Sequence, residues 1–311
     1  ELNLDQDTNV GTIDRVGNSA GITLHSTAGT RGLWLSSNQD ATRNENVGLI
    51  TLGFGDNRIQ VDTSGGTSTS RIVQLQADNL SRGTGHGTAL IVGQLLGNTA
   101  NARAQFLLDS DPSGASAAVG GGGAAGSTSI SIYPWLVGES TANNDTNLFD
   151  NYGNSFVMDA SAATSAPRAN LRVLTTTEYV TDEAAFNALG GVSTDNVRFA
   201  TNPAAALTST ATAINSLVLD SATGITLTGP ASGLAITSGA LLAAGTGAHT
   251  IDGFAALTTG ASRDYILYVT NPAGSLTVNS PLTSAVPLVK SGAGTLILGA
   301  AGSAFTEVYL N

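Results

Sequence analysis

The sequence contains no cysteine among its 311 residues, which excludes a disulfide framework and thiol-ligated zinc. It is nearly as poor in lysine: Lys290 is the single one, and the other eleven basic residues are arginines spread along the chain. Counterion-release binding to nucleic acid needs clustered Lys and Arg, so no nucleic-acid partner is expected. The net charge of −11 also speaks against docking on anionic lipid. No apolar run reaches the roughly 18–20 residues of a membrane span, so membrane insertion by this segment is not expected. The first residues, Glu1 to Asp7, lack the basic start and apolar centre of a signal peptide, and there is no initiator Met. The expectation is an internal piece of a longer polypeptide, with any signal or anchor outside it.

Charge of either sign is scarce, at 11% of residues against about 25% in an ordinary soluble domain. Such a chain stays in water through Ser, Thr, Asn and its own backbone. Glycine is abundant, with 38 residues, and the remainder is dominated by short alternating runs closed by Gly, Asn, Asp or Ser. Runs of this kind cover 11–16, 21–25, 32–36, 48–54, 58–62, 71–77, 88–95 and 102–109, with period-two pairs such as Ile22/Leu24, Leu33/Leu35 and Ile59/Val61. They predict strands separated by tight turns, hence an all-β fold.

Three stretches follow from composition. Residues 1–114 read as β-solenoid strands. Residues 115–212 read as an irregular β region, with a Gly/Ala-rich loop at 115–126, a strand at 128–137, an Asn/Asp-rich surface excursion at 139–154 and further strands at 156–158, 171–174 and 196–199. One short helix is predicted at 181–189, capped by Asp182 or Thr181 and stopped by Gly190 and Gly191. Residues 213–311 form a regular ladder, in which Leu217/Leu219, Ile225/Leu227, Leu234/Ile236, Ile266/Tyr268, Leu276/Val278, Leu296/Leu298 and Val308/Leu310 recur every 6 to 12 residues. With two or three strands per turn, a coil would take roughly 20–30 residues. A right-handed parallel β-helix with loop excursions accounts for this best, because one coil cannot bury its apolar side alone while a stacked neighbour can. A β-sandwich-like sub-domain in the first half is the alternative, since periodicity does not separate parallel from antiparallel pairing.

The most regular unit is Lys290-Ser-Gly-Ala-Gly-Thr-Leu-Ile-Leu298, a Gly-punctuated turn entering a strand. Lys290, Gly292, Gly294, Thr295, Leu296 and Leu298, with Phe305 as the following aromatic, resemble the autotransporter-associated β-strand repeat. The usual Asn is absent and Glu307 stands where a Gly is expected. The resemblance implies parallel stacking, export and a place at the bacterial cell surface.

Chemistry-bearing residues are few. His25, His86 and His249 have no partner at ligand spacing and read as turn or surface histidines. Candidate carboxylate pairs for polysaccharide cleavage are Asp109 with Asp111, Asp145 with Asp150, and Asp182 with Glu183, none repeated along a strand. Calcium is the ion suited to an acidic exported chain, but 40–46 and 143–150 lack a spaced Asp-x-Asp-x-Asp loop and read as solvated turns, so no cofactor is expected. Gly120 to Gly123 lacks the Lys and helix of a phosphate loop. Trp34, Trp135 and Tyr133 alternate with apolar neighbours and read as buried packing more than as a sugar platform.

The expectation is a non-enzymatic structural segment of an exported cell-surface or extracellular fibre protein that self-associates. A carbohydrate-binding adhesin module contacting surface glycans through 115–126 and 139–154 is the alternative. A polysaccharide lyase or hydrolase ranks below both.

Overall fold

The computed structural model describes residues 2–5, 15–26, 32–38, 41–63, 71–98, 103–142, 148, 151–160 and 169–311. Its regular structure is nearly all β, with parallel sheets. The strands of the first half are β1 (Leu2–Asp5), β2 (Ile22–His25), β3 (Leu33–Ser36), β4 (Thr42–Val47), β5 (Ile50–Phe54), β6 (Asp56–Asp62) and β7 (Ile72–Ala77). They continue as β8 (Leu80–Arg82), β9 (Thr88–Gln94), β10 (Arg103–Leu108), β11 (Tyr133–Thr141), β12 (Ser155–Asp159) and β13 (Ala169–Val173). The second half opens with helix α1 (Glu183–Ala188), then β14 (Gly190–Val192), β15 (Asn196–Phe199), β16 (Thr210–Ile214), β17 (Ser216–Asp220), β18 (Thr226–Thr228) and β19 (Gly233–Ile236). After these come β20 (Ala240–Ala244), β21 (Ala248–Asp252), β22 (Ala256–Thr259), β23 (Tyr265–Val269), β24 (Ser275–Val278), β25 (Leu288–Ser291), β26 (Thr295–Leu298) and β27 (Val308–Leu310).

The chain forms two compact units, one of residues 1–118, 135–173 and 311, the other of residues 119–134 and 174–310. In the first unit, β3, β6 and β9 stack in one parallel row, β4, β7 and β10 in a second, and β2, β5 and β8 in a third. Successive strands therefore move from row to row. Register puts Leu33, Ile59 and Ile91 in one column and Val73 with Ala104 in another, all buried. The parallel progression ends at β13, which pairs antiparallel with both β10 and β12. A sandwich-like first half would need antiparallel neighbours throughout, and β1 to β9 are parallel wherever they pair with one another.

At the outer edge of the ten-stranded sheet lies β4. Its Glu45 shares a column with Leu75 and Phe106, is fully buried, and accepts the backbone N–H groups of Arg15 and Val16 at 2.7–3.0 Å. A charge pointing inward from an edge strand discourages pairing with a foreign strand. Residues 42–46 thus lie in a strand rather than in the solvated turn expected at 40–46.

The second unit has three parallel sheets, in the orders β14-β16-β19-β22, β15-β17-β20-β23-β25-β27 and β18-β21-β24-β26. From Thr210 onward the chain visits them in rotation, one strand each, and a parallel bridge from Leu257 to Leu282 prolongs the first. Leu217, Leu241 and Leu267 form one inward column, and Leu227, Ile251 and Val278 another, all within a single buried core. Each such side chain contributes about 1.5–3 kcal/mol by leaving water. The stack begins on α1, where Asp182 caps the helix by accepting from the Ala185 N–H at 2.7 Å and Phe186 enters the core beside Phe199. This is the predicted helix, and it is the only α-helix among the described residues.

Candidate functional site

The residues of the repeat motif fall on the last turns of the second unit. Lys290 on β25 continues the column of Leu217, Leu241 and Leu267, so its alkyl stem extends the apolar row while its ammonium donates to the Gly292 carbonyl. The two glycines serve different needs. Gly292 turns the corner at φ +85°, a left-handed conformation that side chains resist, and a Cβ there would also lie 2.4 Å from the Val269 carbonyl oxygen. At Gly294 the constraint is space alone: a Cβ would meet the Asn271 oxygen and Val269 Cγ1 at 2.5 Å. Thr295 points outward, Leu296 packs half-buried on the core in the column of Leu276, and Phe305 packs against the same core. Leu298 follows Val278 in register and remains 37% exposed, beside Ile297 at 48%, Val308 at 52% and Leu310 at 80%.

A polar clamp sits at the start of this stack, unforeseen from the sequence. Asn196 donates to the carbonyls of Thr128 and Ile130 at 3.0 and 2.9 Å and accepts from Asn215 Nδ2 and Ser216 Oγ at 2.9 and 2.8 Å. Asn215 in turn reaches the Val119 carbonyl at 3.0 Å. All four hydrogen-bonding positions of a buried amide are thereby used, which fixes the segment 119–132 against β15. Gly121 and Gly123 both donate to the Ser129 carbonyl, so these amides of the Gly-rich loop are committed within a hairpin. The only sequence signal was an Asn beginning a strand.

The outward side of β18, β21 and β24 carries Thr226, Thr250 and Thr277 in one column, flanked by Thr228, Ser275 and Thr295. No hydroxyl of the column bonds to another described residue, in contrast to Thr237, Thr259 and Ser238, whose hydroxyls are taken up by backbone carbonyls. This is an uncharged, regularly spaced polar row.

The histidines divide. His25 is exposed and meets Phe54 in a tilted ring contact with centroids 4.3 Å apart, and His86 occupies a turn at φ 56°. His249 corrects the expectation of a turn or surface position: it is 1% exposed, alternates with Ile251 along β21, and lies in the column between Ile225 and Leu276. Burial pulls its pKa below 6.5, against the opposing influences of the Ala244 carbonyl and Asp220.

Among the carboxylate pairs, Asp109 accepts from Gln76 at 2.7 Å, Asp182 caps α1, and Glu183 accepts from the Ala204 N–H at 2.6 Å. They hold loops and strands in place. Asp145, Asp150 and most of 143–150 lie outside the described residues. No group of three or more potential metal ligands occurs among the described residues. Trp135 is buried with its N–H on the Ser116 carbonyl at 3.2 Å, and Tyr133 is buried as well. The excursion expected at 139–154 starts later, because β11 continues through Thr141 and Gly138, Glu139 and Ser140 pair with Ile91, Val92 and Gly93. No protein-family model, curated protein or solved structure matches the chain.

Proposed function

We propose that the chain is a structural, non-enzymatic segment of an exported bacterial cell-surface or extracellular fibre protein, wound as a right-handed parallel β-helix. The observation that supports this reading is the rotation of successive strands through three parallel sheets around inward columns of buried apolar side chains. Each turn then contributes one strand per sheet, and right-handed connections are the ones that pack a twisted strand back on its neighbour. In this reading the Lys290–Leu298 motif of the autotransporter-associated repeat is a corner device. Its work is mechanical: stacked, weakly charged coils that space adhesive or cohesive surfaces. Self-association into fibres belongs to the proposal, with the exposed Ile297, Leu298, Val308 and Leu310 as the apolar side on which another rung or copy would stack.

Antibody labelling of intact and permeabilised source cells tests the location. Equal labelling supports the proposal, and labelling that appears only after permeabilisation contradicts it. Electron microscopy of the purified chain over rising concentration tests assembly, with filaments expected and a monodisperse small particle at all concentrations counting against it.

The spare hydroxyl row of Thr226, Thr250 and Thr277 favours a second reading, a surface that hydrogen-bonds glycans. Retention on a glycan array that falls on Thr250→Lys would support it, and no retention on any glycan would remove it.

A further inference from the structure

His249 is a polar side chain at an apolar position. Its column neighbours are Ile225 on the approach to β18 and Leu276 on β24, each 1% exposed or less. Across the corner between β20 and β21, its Nε2 lies 3.0 Å from the Ala244 carbonyl oxygen, a contact that assigns the Nε2–H tautomer. The other ring nitrogen, Nδ1, is buried with no hydrogen-bond partner among the described residues. A neutral imidazole tolerates this, since Nδ1 is then an unfilled acceptor. A protonated ring would bury both a charge and an N–H donor aimed at nothing, which is costly in an apolar interior.

The charged surroundings offer little compensation. Asp220, at the end of β17, is the carboxylate whose field reaches the ring, and it is already paired with Arg198 from β15. The adjacent strands present Ile225 and Leu276, and β20 presents a backbone carbonyl. The corner itself is tight: Gly245 turns at φ +78°, and a Cβ on Gly247 would fall 2.2 Å from the Gly224 nitrogen, so the ring cannot be rehoused by a small local shift.

We propose that His249 makes the β20–β21 corner an acid-sensitive latch, closed by the neutral ring and released when the ring takes a second proton. The sign follows from the two states. In the unfolded chain the ring protonates near 6.5, while the folded state resists protonation to lower pH. The contribution of the neutral ring is therefore complete above that value and declines as pH falls from about 6.5 toward the lower folded-state pKa. Between pH 7.5 and 5.0 the folding equilibrium constant drops by at most about thirtyfold from this group, the ceiling set by the unfolded-state value.

The test compares urea unfolding of the full chain and of His249→Leu at both pH values, followed by circular dichroism and by the absorbance of the tyrosines, most of which lie in the second unit. Leu restores the apolar column, so the variant should lose less stability on acidification than the wild type; equal losses would overturn the proposal. Should His249→Leu not fold, amide exchange of the wild type decides. Protection factors corrected for intrinsic pH dependence should fall at 244–252 and 275–278 more than at 216–220 when pH drops from 7.5 to 5.0. A uniform change across the three stretches would overturn the latch.

Discussion

The two units stack parallel strands in different ways. In the first, side chains bridge neighbouring strands at separations of 30 to 33 residues: Thr51 with Ser81, Gln74 with Gln105, Gln94 with Asp62 and Gln76 with Asp109. In the second, the corresponding separations are 20 to 26 residues, and the bonds gather at corners, as between Ser216 and Asn196, Ser238 and the Asn215 carbonyl, or Ser280 and the Phe254 N–H. The outward row of Thr226, Thr250 and Thr277 is left unbonded there. Register is thus shared between outer amides and inner columns in the first unit, and falls to inner columns and corners in the second. Their endings differ as well. The first unit stops when β13 takes the edge of β10 in antiparallel sense, a pairing that does not call for another coil. Parallel pairing in the second persists through β25 and β27.

This difference ranks the effects of substitution. Leu241→Ala and Leu267→Ala, at the centre of the second unit's column, should each cost about 2–5 kcal/mol, read as a fall in the urea midpoint; costs below that of an exposed site would break the assignment of register to inner columns. Asn196→Ala should come next, at about 1–3 kcal/mol, because it removes partners from two carbonyls, the Ser216 hydroxyl and the Asn215 amide. Gln76→Ala, removing one outer bridge of the first unit, should cost about 0.5–1.5 kcal/mol. Smallest is Thr250→Val on the unbonded row, within about 0.5 kcal/mol of neutral. A Thr250→Val cost equal to that of Gln76→Ala would erase the contrast between the two outer surfaces.

Much of this organisation could be read from residue order. Alternation such as Ile225/Leu227 and Leu234/Ile236 identified strands because successive side chains of a pleated chain point to opposite faces, and the helix at 183–188 announced itself through Asp182 and the Gly190-Gly191 stop. The β12–β13 reversal was not legible, since alternation is identical in parallel and antiparallel strands. Polarity hid β4 and the end of β11: Thr42–Val47 is rich in Asn and charge, and Glu139–Thr141 has no apolar member, yet both lie in register against buried partners. His249 was missed for a related reason. Its spacing, two residues before Ile251, was that of an inward position, and only its chemistry suggested the surface. Glu45 and Asn196 were concealed in the same way, because their partners are backbone groups that composition does not display.

The absence of cysteine supplies a direct test of the stacking itself. Thr250 lies opposite Thr277 and Thr226 opposite Thr250, so paired strands about 4.8 Å apart bring each couple within reach of a disulfide. Thr226 and Thr277 are separated by a whole strand. Oxidation of the three double-cysteine variants should cross-link Thr250→Cys/Thr277→Cys and Thr226→Cys/Thr250→Cys while leaving Thr226→Cys/Thr277→Cys as free thiols; efficient cross-linking of the last pair, or none in the first two, would contradict the stacked parallel coil.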